Sequence, residues 1–395
     1  MATLGTDVNR PNVPPEGATL SATVDVTPGE QTTGVERHVL LCLDTSGSMN
    51  GEKLEQAREG AAWVFGLLED RDYVGIVAFD TDARVVMRPT RWGDTQRSVA
   101  MDRVEELGAG GGTDMYDGLD TARRTLESLD HRAETARAVR RILLLSDGKD
   151  NARGPGDFAA LAESIDDAGI RVEAAGIGTD YREETIRTLG ETARGTWTHL
   201  ESPGDIEAFF GEAVEDAGSV VATDAVLELD VARGVEVSEV HRARPQAQPA
   251  DVDWESNTAV VPLPDLVERE GQQVTMKVHA PPADPGERTL VDVTLRAQGE
   301  TATDAVTVEY TDDNAALAEH NESVSLDHRH TVVRTALGRG DVDTAETELE
   351  KMTRVHGEDT DLVREAAEQT RLVKEGGRAE RNSATKIVDT DRLGE

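Results

Sequence analysis

Cysteine, lysine and aromatic residues are all scarce in this chain of 395 residues. The single cysteine, Cys42, cannot form an intramolecular disulfide, and its position inside an apolar run favours a small buried core residue. No apolar run approaches the length that a membrane-spanning helix needs. The first residues have neither a basic start nor an apolar stretch, which argues against a signal peptide. We therefore expect a cytoplasmic protein. Because aromatic residues make up only 3% of the chain, we also expect cores that are built mainly from Val, Leu, Ile and Ala.

Positive charge is also in short supply. The chain has 78 Asp and Glu residues against 41 Lys and Arg residues, of which six are lysines, and its formal net charge is -37. An acidic surface poor in lysine is typical of halophilic proteins, in which concentrated salt screens the repulsion between carboxylates. An acidic protein from a low-salt cytoplasm is the alternative. In either case phosphates would be repelled, so we expect no nucleic acid partner.

Apolar strands alternate with amphipathic helices from Val35 to about Gly218. Residues 140–147, RRILLLSD, form the kind of continuous apolar run that is typical of a strand covered on both faces. Residues 51–69 place apolar side chains on one face of a helix. The alternation predicts an α/β fold in which a doubly wound, mostly parallel, Rossmann-like sheet carries helices on both faces.

The pattern changes at Ser219, after which short segments alternate apolar and polar residues between Gly, Pro and Asp. We assign residues 219–311, together with the similar segment 18–30, to an antiparallel β-sandwich into which the α/β domain, residues 35–218, is inserted. Residues 312–376 are predicted to form a helical hairpin or a small helical domain. Residues 377–395 are predicted to be a flexible polar tail.

Oxygen-bearing side chains follow the ends of two predicted strands. The segment DTSGSM begins at Asp44, directly after the apolar run HVLLCL, and Asp147 ends the run ILLLSD. A glycine-rich loop, GAGGGTDM, carries Thr113 into a helix. Because ligands of open parallel sheets bind beyond the carboxyl ends of the strands, we expect one cluster of oxygen atoms at this edge. Its members are Asp44, Ser46, Ser48, Thr113 and Asp147.

These five side chains offer hard oxygen donors and neither thiol nor imidazole, which favours Mg²⁺, with Mn²⁺ or Ca²⁺ as alternatives. Alternate positions on a tight loop can turn toward one centre, and we expect Gly47 and the glycines before Thr113 to let the backbone bend closely. Two carboxylates balance a divalent ion formally. Where they act through water, the ion keeps the capacity to bind one further anionic ligand.

The motifs DTSGSM, GGTD and SDG, in this order on an α/β pattern, resemble the metal-ion-dependent adhesion site (MIDAS) of von Willebrand factor A domains. The resemblance covers about residues 35–215 and implies that Ser46, Ser48 and Thr113 lie near the ion, with Asp44 and Asp147 supporting it. The sandwich with its split N-terminal strand resembles the arrangement in prokaryotic proteins loosely named after calcium-activated chloride channels, a name that carries no evidence of ion conduction.

The resemblance implies a non-enzymatic protein-interaction module that binds an Asp or Glu carboxylate of a partner through Mg²⁺, in complex assembly or beside an AAA+ ATPase. A metal-dependent hydrolase is an alternative, with Asp114 or Asp150 as the available general base. Asp114 is more simply a helix cap, and Asp150 a loop residue at the rim. A self-associating scaffold with an incidental metal is a third hypothesis. A cluster of histidines near residues 320–330 does not have the geometry of a metal site.

Overall fold

The computed structural model describes residues 2–30, 34–129, 138–147, 150, 153–178, 181–200, 202 and 204–375. The chain divides into two compact units, one formed by the described residues up to Glu30 and from Val221 onward, and the other by the segment between them. An α/β segment is therefore inserted into an antiparallel unit, and the predicted fold class is confirmed. None of the described helices is long and apolar enough to cross a membrane.

The first unit begins with a strand that the sequence analysis did not predict. The N-terminal strands are β1 (Thr3–Val8), β2 (Asn12–Val13) and β3 (Ala18–Thr27). β1 runs antiparallel to β3, with Thr3 opposite Thr27. No residue of β1 is fully buried, and the segment contains Gly5, so its apolar alternation is too weak to be recognised. The antiparallel unit thus begins well before residue 18.

The inserted unit is built on one six-stranded sheet. Its strands are β4 (Glu36–Asp44), β5 (Tyr73–Phe79), β6 (Ala83–Arg91), β7 (Ala138–Ser146), β8 (Ile170–Ile177) and β9 (Trp197–Leu200). Their spatial order is β6-β5-β4-β7-β8-β9, and β6 alone runs antiparallel to its neighbour. β4 and β7 therefore lie side by side in the middle of the sheet, and their carboxyl ends share one edge.

Helices cover both faces of this sheet. They are α1 (Glu52–Leu67), α2 (Arg97–Glu105), α3 (Met115–Glu127), α4 (Pro155–Asp167), α5 (Glu183–Thr192) and α6 (Asp205–Gly218). Successive residues of β4 enter different cores, Leu41 and Leu43 on the face of α1, α2 and α6, and Leu40 and Cys42 on the face of α3, α4 and α5. Burial on both faces explains why the central strands are continuously apolar. Cys42 is fully buried, as predicted, and burial raises the pKa of its thiol.

The remaining strands complete two larger sheets and form a third sheet of only two strands. They are β10 (Val220–Ala222), β11 (Val226–Val231), β12 (Glu236–Arg244), β13 (Gln248–Pro249), β14 (Asp253–Glu255), β15 (Thr258–Pro262), β16 (Leu266–Val267), β17 (Gln272–Ala280), β18 (Gly286–Ala297) and β19 (Glu300–Tyr310). One larger sheet has the order β1-β3-β17-β12-β13, and the other has the order β14-β15-β11-β18-β19-β2, where β2 pairs with β19 in parallel. β10 and β16 pair with each other in the two-stranded sheet. Val24 and Val274 of the first sheet share one core with Leu227 and Val293 of the second.

The C-terminal helices belong to the antiparallel unit and do not form a compact unit of their own. They are α7 (Asn314–Leu317), α8 (Glu322–Gly338), α9 (Val342–His356) and α10 (Asp361–Glu375). α8 packs on β3, β12 and β17 as well as on α9 and α10. The sequence of α8 predicts a helix. It does not predict that this helix packs on β3, β12 and β17, which are distant in the sequence. The predicted tail, residues 377–395, lies outside the described residues.

The histidines of α8 hold it to the sheet and to α10. The ring of His328 lies 2.9 Å from Thr275 Oγ1 and 3.5 Å from a Glu239 carboxylate oxygen. His330 lies 3.6 Å from Glu365. No group of three or more His, Cys, Asp or Glu side chains that could hold a metal occurs in the part of the chain that the structure describes. The histidines thus have a packing role there.

His241 makes the stability of this unit depend on pH. Burial, and next the neighbouring His328, lower the pKa of His241 from 6.5 to about 4, against an opposing contribution from Glu239. The unfolded chain therefore binds a proton below pH 6.5 that the folded chain accepts only near pH 4, so stability is lost as the pH falls through this window. The shift corresponds to at most about 3 kcal/mol.

We expect His241→Gln to remove most of this loss between pH 6.5 and 4, as measured by urea unfolding at a series of pH values. His279→Gln, at an exposed position of β17, is the matched control and should keep the wild-type profile. Equal pH profiles for wild type and His241→Gln would contradict the assignment.

Candidate metal site

The carboxylate of Asp44 lies at the carboxyl end of β4, beside the end of β7. Leu43 pairs with Leu145 in the parallel register, which places Asp44 next to Ser146. The carboxylate accepts a hydrogen bond from the Ser46 backbone amide at 2.8 Å and from the Ser146 hydroxyl at 2.5 Å. Asp44 is fully buried, and burial raises the pKa of this carboxyl despite these hydrogen bonds, with the nearby Asp147 acting in the same direction. These two hydrogen bonds hold the buried carboxylate in place at the carboxyl end of β4.

A chain of hydroxyl groups joins the first loop to Asp147. Ser46 Oγ lies 3.1 Å from Ser48 Oγ, and the Ser48 hydroxyl donates to Asp147 Oδ1 at 2.7 Å. Asp147 follows directly after β7 and is buried. The structure therefore brings together four of the five predicted side chains, Asp44, Ser46, Ser48 and Asp147, in one hydrogen-bonded group.

The alternate spacing of the first motif has a structural reason. Between Asp44 and Ser46, the Thr45 hydroxyl turns to the other side and donates to the carbonyl oxygen of Phe79 in β5 at 3.1 Å. The backbone at position 47 does not need a glycine. The φ of Gly47 lies outside the left-handed region, and an added Cβ would lie 3.5 Å from the nearest atom, Gly111 O. The expectation that Gly47 allows a close bend is thus wrong.

The loop that carries Thr113 is fastened to the first loop by backbone hydrogen bonds. Gly110 N donates to Thr45 O at 2.8 Å, and Gly47 N donates to Gly111 O at 3.3 Å. Gly111 has a φ of +75°, and a Cβ there would lie 2.8 Å from Thr81 Oγ1, so glycine is needed at this position. Thr113 is half-buried, and its hydroxyl makes no hydrogen bond within the described residues. The structure brings its loop to the site without a direct contact between Thr113 and the other four side chains.

Two carboxylates at the rim have structural partners. Asp114 caps α3 by accepting from the amide of Asp117 at 2.9 Å, as predicted. Asp150 is buried and accepts from the Arg153 amide at 3.1 Å and the Tyr116 amide at 3.4 Å. The Arg153 guanidinium lies over the Tyr116 ring, 3.9 Å from its centroid, and 3.7 Å from a carboxylate oxygen of Asp114.

Two further residues of the site escaped the sequence analysis. Ser146 precedes Asp147 and contacts Asp44, which the parallel register of β4 and β7 could have indicated. Lys53, in the first turn of α1, forms a salt bridge with Asp147 Oδ2. Its sequence position, five residues after Ser48 in a helix pattern, gives no such signal.

The donor set fits a hard divalent cation. All five predicted side chains offer oxygen, and the buried pair Asp44 and Asp147 supplies two negative charges at one edge of the sheet. The Lys53 ammonium beside Asp147 indicates that this carboxylate takes a cationic partner. Such a group would hold an ion through hydroxyl and carboxylate oxygens.

Comparison with known proteins agrees with this architecture. Residues 38–212 match the model of the von Willebrand factor type A domain. An uncharacterized protein of Synechocystis sp. is 25% identical over 265 residues, which are 66% of this chain and 61% of that protein. The match thus spans about three fifths of the length of this curated relative.

Two solved structures share the fold over nearly the whole chain. A von Willebrand factor type A protein from Catenulispora acidiphila, 20% identical, gives a TM-score of 0.79 and covers 98% of this chain and 96% of its own. The ArnB paralog VWA2 from Sulfolobus acidocaldarius, 16% identical, gives 0.65 and covers 100% of both chains. The two structures show the fold of the chain, and the family model shows that its residues 38–212 are a von Willebrand factor type A domain.

Proposed function

We propose that this protein captures an Asp or Glu side chain of a partner protein through a divalent ion, Mg²⁺ or alternatively Mn²⁺ or Ca²⁺, held at the candidate site. Von Willebrand factor type A domains are generally protein-interaction modules and typically bind a divalent metal at the MIDAS. The observation that carries the proposal is the hydrogen-bonded group Asp44, Ser46, Ser48 and Asp147, which assembles oxygen ligands from two central strands.

The balance of charge supports capture of an anion. Asp44 and Asp147 balance a divalent ion formally, and where they act through water the ion keeps the capacity to bind a further anion. The remaining side-chain ligands, Ser46, Ser48 and Thr113, are neutral and do not oppose it. Because Mg²⁺ takes six ligands and readily keeps waters, one position can be given to a carboxylate from outside.

The arrangement of the rim favours binding over hydrolysis. A hydrolase would need a free general base near the ion, and Asp114 and Asp150 already accept hydrogen bonds from backbone amides. We therefore propose a protein that is not an enzyme. A screen with phosphatase and esterase substrates and Mg²⁺ or Mn²⁺ should show no turnover.

The partner is proposed only by class. By family analogy it belongs to a complex in assembly or to an AAA+ ATPase system in the cytoplasm, and the net charge of -37 argues against nucleic acid.

Self-association remains a hypothesis, which light scattering with and without Mg²⁺ would test. Because the acidic composition suggests a halophilic host, these experiments belong at both low and high salt.

Affinity capture from lysate of the native host, at its own salt concentration, tests the function. We expect a partner that is retained with Mg²⁺, is released by EDTA, and is at least about tenfold depleted with Ser46→Ala, which removes one neutral oxygen ligand. Ser128→Ala is the control, since the Ser128 hydroxyl bonds to Thr125 O in the last turn of α3. Retention that is equal with EDTA and with Ser46→Ala would remove the metal from the mechanism.

A further inference from the structure

Lys53 places a positive charge directly on a predicted metal-supporting carboxylate. Its ammonium bonds to Asp147 Oδ2, while the other oxygen, Oδ1, accepts from Ser48. The Asp147 side chain is fully buried, whereas the Lys53 side chain is 32% exposed. Both oxygens of Asp147 are therefore engaged within the chain, one by a cation and one by a hydroxyl group.

The Lys53 ammonium lies beside the end of the neighbouring strand. Gly178 follows β8, and a Cβ added there would lie 3.4 Å from Lys53 Nζ. Lys53 thus reaches across the carboxyl ends of β7 and β8, with its stem rooted in the first turn of α1. A lysine head on a flexible four-carbon stem can exchange this carboxylate for solvent without movement of the backbone.

We propose that Lys53 is an internal counter-ion that competes with the divalent ion for Asp147. The inference rests on the proposed metal site and goes beyond it. In the metal-free protein Lys53 neutralises Asp147 and keeps its carboxylate in place. A divalent ion that is supported by Asp147 displaces the ammonium, so the chain lowers its own metal affinity. The freed lysine then remains next to the site as a positive charge.

The competition predicts two opposite effects of Lys53→Met, which removes the charge and keeps an unbranched side chain of similar length. Without metal, Asp147 would be a buried carboxylate without its cation, so the melting temperature should fall. With metal, nothing competes for Asp147, so we expect Mg²⁺ to bind about tenfold more tightly and to raise the melting temperature by more than in wild type.

Isothermal titration of Mg²⁺ into the full chain, with thermal unfolding at the same Mg²⁺ concentrations, tests the inference. Lys351→Met is the matched control, because Lys351 is 38% exposed and bonds to the mostly buried carboxylate of Glu348, far along the chain in α9. The control should bind Mg²⁺ as wild type does. Repeating the titrations in about 1 M KCl separates direct contact from a general field effect, which salt screens within about 3 Å.

We expect the difference between wild type and Lys53→Met to persist at high salt. An affinity that is equal in the two proteins, or a difference that vanishes in KCl, would overturn the competition while leaving the metal site intact. If neither protein binds Mg²⁺, Mn²⁺ or Ca²⁺, the proposed function itself fails, and the two failures are thereby distinguished.

Discussion

Asp44→Asn is expected to weaken Mg²⁺ binding by roughly a hundredfold or more. The change removes one of the two charges that balance the ion, whereas the amide keeps the size of the side chain and can still accept from the Ser46 amide. The Ser146 hydroxyl can in turn accept from the new amide group. Isothermal titration of Mg²⁺ at neutral pH measures the loss.

The fold should survive this substitution. Burial raises the pKa of Asp44, so the charged carboxylate is costly in the metal-free protein, and the neutral amide should leave the metal-free melting temperature unchanged or higher. Asp114→Asn is the control at the same rim, because asparagine caps a helix as well as aspartate does, and it should keep wild-type Mg²⁺ affinity. Mg²⁺ affinity that is equal for Asp44→Asn and wild type would disprove the role of Asp44.

Asp72→Ala is expected to cause the largest loss of stability, about 3–5 kcal/mol, because it leaves a buried guanidinium without its partner. Asp72 is fully buried and accepts from the backbone amides of Arg37 at 3.0 Å and Glu69 at 2.7 Å. It also accepts from Arg37 Nε at 2.9 Å and from Nη2. Urea unfolding followed by tryptophan fluorescence suits the measurement, since Trp63, Trp92 and Trp197 all lie in the inserted unit.

The position of this ion pair separates stability from function. Arg37 and Asp72 lie at the start of β4 and just before β5, at the opposite edge of the sheet from Asp44. At temperatures where Asp72→Ala is folded, its Mg²⁺ affinity should therefore equal that of wild type. Glu106→Ala breaks the exposed pair with Arg103 and should cost no more than about 1 kcal/mol. If Asp72→Ala lowered the free energy of unfolding by no more than Glu106→Ala does, the buried pair would not stabilise the unit.

Local features of the sequence are enough to predict the elements of the inserted unit and most of the candidate site. Continuous apolar runs marked β4 and β7 as central strands, because burial on both faces demands apolar residues at every position. Because parallel strands end at the same edge of a sheet, Asp44 and Asp147, which follow these runs, are expected at that edge. Local composition and strand direction were sufficient for that conclusion.

Contacts between distant segments were decided only by the tertiary structure. β1 is a strand because β3 offers it an edge, and α8 belongs to the antiparallel unit because His328 and its neighbours fit the sheet. Lys53 meets Asp147 because α1 returns across the end of β7. Side-chain periodicity reports which face of an element is buried, but it does not report which distant element covers that face. The partner of a polar side chain depends on this long-range packing, and so could not be read from the sequence.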